Sequence, residues 1–156
     1  MAHEIQADYA SGSVLYAIVR TAAGQVWHPA GQAFEDWGTG GHTVDDYDVV
    51  LMDKGGNRHV GNFDVDIPAG CYCIQVFRQV GASPADGDAL LSGREIRWTG
   101  VGEVTSAKLL ANKAIQNTIT KAIDYYDDDG VTVLLTHDIH DEATTSTRTP
   151  EWPSQA

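Results

Sequence analysis

The residues best equipped for chemistry in this chain are its clustered acids, its two cysteines and its six histidines. Asp127, Asp128 and Asp129 run directly into Gly130, and clustered carboxylates are the ligands that calcium takes. The spacing is wrong for an EF-hand, which alternates its ligands as D-x-D-x-D-G and closes on an acid at its twelfth position. Counted from Asp127 that position is Asp138, and the intervening residues read as strand. Three consecutive carboxylates cannot all be buried, and Gly130 supplies the positive φ of a tight connection, so a solvated hairpin tip is expected.

Cys71-x-Cys73 and His137-x-x-His140 offer four ligands chemically suited to zinc. The two pairs fall in different segments, and cysteines at i and i+2 of a strand present their sulfurs poorly to one tetrahedral ion. They are also too close for an unstrained bridge, so free thiols and no metal are expected. None of His3, His28, His42, His59, His137 and His140 stands beside a serine or cysteine in a G-x-S-x-G context. The acidic pairs Glu35-Asp36, Asp45-Asp46 and Asp141-Glu142 would serve glycoside hydrolysis only by facing one another across a cleft, which one sequence does not show. There is no P-loop, Rossmann fingerprint or HExxH. The expectation is a protein with no catalytic residue and no cofactor.

These residues are positioned by short extended segments. Ser13 to Arg20, SVLYAIVR, reads as the first strand after a polar arm at residues 1–12, and its apolar groups on both faces imply burial on both sides. Thr21 to Gly24 turns the chain into Gln25-Val26-Trp27, a hairpin. The glycine-rich stretch after it carries a short strand at Ala33 to Glu35, with Phe34 and Trp37 as anchors. Tyr47 to Met52 and Arg58 to Phe63 flank a turn at Asp53 to Asn57. CYCIQVFRQV, from Cys71, is the best strand by composition and is expected to be central, with Tyr72, Ile74 and Val76 sharing one face. A loop from Gly81 to Asp88 returns the chain to a strand at Arg94 to Trp98.

Short strands at regular spacing, turns between them and no helical period predict an all-β protein, an antiparallel β-sandwich of Ig-like or jelly-roll-like type. The sandwich is placed at residues 1–99, a glycine-containing hinge with a short helix over Ser106 to Ala111 at 100–112, and a C-terminal β-hairpin or meander arm at 113–156. Lys121 to Ile139 is its hairpin, Lys113 to Thr118 its third strand, and Asp141 to Ala156 an extended tail. The arm carries apolar groups on both faces of a ribbon too small to cover them. Tyr125, Tyr126, Val133, Leu134 and Leu135 are therefore the expected interface, together with Trp152 on its proline-flanked tail.

The net charge of −12 divides into −7 for residues 1–100, six basic against thirteen acidic, and −5 for the remainder, four against nine. Such a chain is repelled by phosphate backbones and anionic lipid, so neither nucleic acid nor a membrane is expected as a partner. The N-terminus lacks a signal-peptide pattern and no run approaches a membrane span.

The segments VLYAIVRTAAGQVWHPAGQAFEDW, DYDVVLMDKGGNRHVGNFDVDIPAGCYCIQVFRQVGASPADGD and EIRWTG resemble an N-terminal β-sandwich module of virion proteins of tailed bacteriophages and related prophage-like genes. NKAIQN and AIDYYDDDGVTVLLTHDIHDEATTSTRTP are similar to short C-terminal β segments of phage structural proteins. The resemblance implies a non-enzymatic virion component of tail, neck, baseplate or head accessory type, made in the host cytoplasm. Its implied partners are other virion proteins and copies of itself. It transfers no active-site residue. The alternative is an adhesin or carbohydrate-binding sandwich in which loops around Trp37 or Gly81 to Asp88 hold a host-surface glycan.

Overall fold

A computed structural model describes residues 4–105, 109–110, 112–127, 129–142 and 145–151, with side chains described as far as residue 138. The chain divides into two compact units, Met1–Glu103 and Val104–Ala156. It is all-β and antiparallel, the first unit forming a sandwich with barrel-like curvature. No helix among the described residues is long and apolar enough to cross a membrane.

The first unit contains β1 (Ile5–Asp8), β2 (Leu15–Thr21), β3 (Val26–His28), β4 (Ala33–Glu35), the one-turn helix α1 (Val44–Tyr47), β5 (Val49–Asp53), β6 (Arg58–Gly61), β7 (Gly70–Arg78) and β8 (Ala89–Trp98). Everything is arranged around β2. One edge pairs along its whole length with β7, from Leu15↔Arg78 to Thr21↔Tyr72. The other edge is shared: Leu15, Tyr16 and Ala17 pair with β5, whereas Arg20 pairs with Val26 of β3. The sheet therefore forks, with β5, β6 and β1 leaving from one half of β2 and β3 and β4 from the other.

Between the branches and the β7–β8 ribbon lies the inner core, where Leu15, Ala17 and Val19 meet Trp27, Phe63, Tyr72, Ile74, Val76, Ile96 and Trp98. The alternation along β7 is as expected from sequence, with Tyr72, Ile74 and Val76 buried. The indoles at its margins keep their polar ends satisfied, Trp98 donating to the Ile67 carbonyl at 3.0 Å and Trp27 to Asp64 at 3.1 Å. At the far side Arg94 donates to the Glu4 carbonyl at 2.6 Å and pairs in a fork with Glu103 at 2.6 and 3.0 Å. The bond to Glu4 ties β8 to the residue before β1.

Two expectations are corrected. Residues 5–8 are not part of a polar arm but strand β1, in register with β6 from Ile5↔Gly61 to Asp8↔Arg58, with Ile5 fully buried. Four residues, IQAD, are too few for a legible alternation. Residues 44–46, placed in a loop, and Tyr47, placed at the start of a strand, form α1, whose start is a capping box between Thr43 and Asp46. One turn has no helical period to detect. At the start of the expected hinge, Thr99 and Gly102 close a turn and Glu103 bridges back to Trp98, and the division between the two units follows at Glu103.

The second unit is a four-stranded sheet, β9 (Ala114–Gln116), β10 (Ile123–Tyr126), β11 (Val133–Glu142) and β12 (Thr145–Glu151), with each strand paired to its chain neighbour. The hairpin over Lys121 to Ile139 is present as β10 and β11, and the expected tail supplies a fourth strand. The helix expected from Ser106 falls mostly outside the described residues.

Asp53 fixes the entry into β2. Its carboxylate accepts the N–H groups of Gly12 and Gly55, both at 2.7 Å, and the Ser11 hydroxyl at 3.3 Å. Beside it His59, wholly buried, contacts the Ser13 carbonyl through Nε2 at 3.1 Å. Those N–H donors, Gly12 first, hold the Asp53 carboxyl below its usual value. Its contribution to stability is full above the ordinary aspartate pKa of about 4 and is lost as pH falls through the lowered folded value. Asp53→Asn is expected to be less stable than the parent at pH 7, with the difference shrinking below about pH 4. Urea melts at a series of pH values check this, and a difference independent of pH would contradict it.

Candidate functional site

The outer face of β2 and β7 carries a concavity. Tyr16, Ile18 and Arg20 of β2 alternate outward, and Gln75 and Phe77 of β7 stand beside them in register, Tyr16↔Phe77 and Ile18↔Gln75. Tyr16 and Phe77 stack with ring centroids 5.4 Å apart. Trp37 and Val44 form one wall, Ala85 and Asp86 the other, around a cavity of about 490 Å³. A second lobe of about 460 Å³ continues between His42 to Asp45 and Ser83 to Asp86. The two loops that sequence reading named as separate glycan-holding segments thus face each other across one cleft.

Each wall is held by a carboxylate. Asp88 accepts the N–H of Val80 at 3.0 Å, the N–H of Ala85 at 2.9 Å and the Tyr16 hydroxyl at 3.1 Å, fastening the 81–88 loop to the cleft floor. Burial pushes the Asp88 carboxyl up, but the two N–H groups and the hydroxyl together hold it below its usual value. The Tyr16 hydroxyl is driven well above the usual tyrosine range by burial first and by Asp88 second.

The opposite wall hangs on Glu35, at the end of β4. Its Oε1 lies 2.6 Å from His42 Nδ1 and accepts the Tyr47 hydroxyl at 2.9 Å, while its Oε2 lies 3.6 Å from His28 Nδ1. The hydrogen bond from His42 is the main reason the Glu35 carboxyl sits below its usual value. Burial, then the bond to Glu35, pushes the Tyr47 hydroxyl up. Gly38, Gly40 and Gly41 all take positive φ, from 67° to 88°, and this lets the chain fold back so that His42 meets Glu35, seven positions earlier. Trp37, 42% exposed, is carried out on this loop, with the Arg20 guanidinium 4.6 Å from its ring centroid.

The lining combines an aromatic lip, an apolar floor and the polar groups of Arg20, Gln75 and Asp86. That combination suits a small polyhydroxylated ligand with one apolar face, which an indole can cover while guanidinium, amide and carboxylate meet its hydroxyls.

The residues named from sequence as an interface lie in the second unit. Tyr125 and Tyr126 are half-buried on β10, opposite Leu135 and Val133, with a register break between them. Val133 is half-buried, and Leu134 and Leu135 are buried within the chain. Trp152 lies outside the described residues. The acidic tip is a closed turn in which Gly130, at φ 68°, donates to the Asp127 carbonyl at 2.9 Å. Asp129 accepts the N–H groups of Val131 and Thr132, each at 2.8 Å, and the Thr132 hydroxyl at 2.5 Å. Cys71 and Cys73 are free and belong to the first unit, His137 to the second, and the His140 side chain lies outside the described portion. The group of metal-capable side chains that does form among the described residues, His28, Glu35 and His42, was not singled out from sequence. Its signal was the even spacing at 28, 35 and 42 around a glycine-rich turn.

Comparison with protein-family models, with curated proteins and with solved structures finds no match to this chain.

Asp88→Ala removes three anchors at once and is expected to speed amide hydrogen exchange at Val80 and Ala85 by at least tenfold, leaving β7 protected. Unchanged exchange at those amides would show that the loop holds its shape without the carboxylate.

Proposed function

We propose that this chain is a non-enzymatic β-structured component of a bacteriophage virion, present in multiple copies and joined to its neighbours through its C-terminal sheet. The bacteriophage context rests on the sequence resemblance. The observation that supports assembly is the second unit's sheet, which ends on the short edge strand β9, all three residues of it exposed. Ile115 of β9 is exposed, and Ile119, in the turn that follows it, is 89% exposed. An open edge with apolar groups next to it is the surface that strand pairing between subunits uses. Leu134 and Leu135 are buried within the chain, and the exposed apolar groups offered for contact are Ile115 and Ile119.

Ile115→Asp combined with Ile119→Asp is expected to convert an oligomer to a monomer in light scattering, with the circular dichroism spectrum retained because both side chains are exposed. A parent protein that is monomeric at high concentration and missing from purified particles by mass spectrometry would refute the assembly reading.

The cleft supports a second reading that is compatible with the first, in which the sandwich binds a saccharide at the particle surface. The opposed loops and the indole at the lip favour it. Trp37→Ala is expected to weaken saccharide binding about tenfold, the equivalent of ~1.4 kcal/mol, an effect of the size aromatic contacts supply. A glycan array on which the parent protein finds no ligand would remove this reading.

A further inference from the structure

We propose that His28, Glu35 and His42 form a binding site for a divalent metal ion of the zinc type, with both imidazoles ligating through Nδ1 and a fourth position left to water or an added ligand. The three donor atoms already lie within 4.8 Å of one another. A tetrahedral ion with bonds of about 2.0–2.2 Å spaces its donors roughly 3.3–3.5 Å apart. His28 Nδ1 lies 3.6 Å from Glu35 Oε2 and His42 Nδ1 2.6 Å from Glu35 Oε1, so a turn of the carboxylate that offers one oxygen to both, with His42 opening by less than about 1 Å, completes that spacing.

The surroundings are those of a held ligand set. Two imidazoles lie with centroids 4.1 Å apart and turn the same nitrogen, Nδ1, toward one carboxylate. A simple histidine–glutamate hydrogen bond requires only one of them. Tyr47, fully buried, meets both rings edge-on at 5.9 and 6.0 Å and donates to Glu35, the kind of outer contact that fixes ligand orientation. Gly31 supplies an independent observation: a Cβ added there would lie 2.8 Å from His28 Nδ1. The chain passes that nitrogen so closely that a side chain at position 31 would displace the His28 ring. Two nitrogens and one carboxylate oxygen match zinc and its late first-row neighbours rather than calcium or magnesium, which take oxygen ligands.

The site does not depend on the virion or saccharide readings. It would join β3, β4 and the loop carrying Trp37 at a single point.

The test is titration of the metal-stripped full-length protein with Zn²⁺ by calorimetry and with Co²⁺ by visible absorption. One equivalent of Zn²⁺ and the intense visible bands of four-coordinate Co²⁺ are expected. Glu35→Gln and His42→Ala should each weaken binding at least a hundredfold, and Tyr47→Phe about 10–100-fold, as loss of an outer contact does. Gly31→Ala, which keeps every ligand, should also weaken binding by turning His28 aside. Cys71→Ser with Cys73→Ser should leave it unchanged. Binding that survives in a folded Glu35→Gln/His42→Ala protein, or that disappears with the cysteines or with His137, would overturn the assignment, as would no binding at all.

Discussion

The structure depends on the requirement that β2 be covered on both faces. Leu15 to Val19 are five consecutive buried residues, so two separate sets of partners have to be found for one strand. The inner face is covered by regular means, since the forked sheet folds its own strands over it. Within the first unit the outer face is covered by α1 and the loops around it. Each large apolar side chain buried there contributes about 1.5–3 kcal/mol, while each loop residue ordered to bury it costs about 1–2 kcal/mol in backbone entropy. A bare loop would lose by that comparison. The 36–47 segment succeeds because it brings Val44 and Tyr47 into the same cluster as Tyr16, Ile18 and Val26, and because Glu35 ties its return.

How much of this was legible follows from the length over which each signal runs. β7 was readable because nine residues alternate without a break, and β2 because its run is uniformly apolar. The turn at residues 127–130 was readable because glycine and consecutive acids exclude other conformations. β1 was not, since four residues with one buried isoleucine look like any polar arm until β6 is placed beside them. The cleft was half legible: its two loops were visible as loops, but their opposition depends on Asp88 meeting Tyr16 across 72 positions, and nothing local encodes such a pair. The histidine and glutamate group was missed for the opposite reason. Its members are close in sequence, but three glycines of positive φ decide whether the chain folds back, and composition does not reveal their geometry.

The second unit places its apolar residues differently from the ribbon pictured in sequence analysis. A two-stranded arm would leave Leu134 and Leu135 on opposite exposed faces. Both are buried in the chain, and the hairpin is widened by β9 on one side and β12 on the other. Widening moves the exposed edge outward without removing it, because an open sheet always ends on two strands. On the β12 side, Pro150 sits opposite His137 and has no N–H to offer a further strand. On the β9 side no such block exists, and the exposed isoleucines lie there. This asymmetry is a reason to expect pairing at β9 in preference to β12.

The same logic separates the two walls of the cleft. Asp88 holds its loop with backbone N–H groups and one tyrosine, all supplied by residues whose positions the sheet and the loop already fix. Glu35 is held by two imidazoles and a phenol, side chains carried by β3, the glycine turn and α1. A carboxylate satisfied by N–H groups gains little from any other partner. One surrounded by side-chain nitrogens can exchange a proton-mediated contact for a metal-mediated one with small movements. The Asp88 wall is therefore the fixed side of the cleft, and the wall carrying Trp37 is the side whose rigidity a bound ion can change.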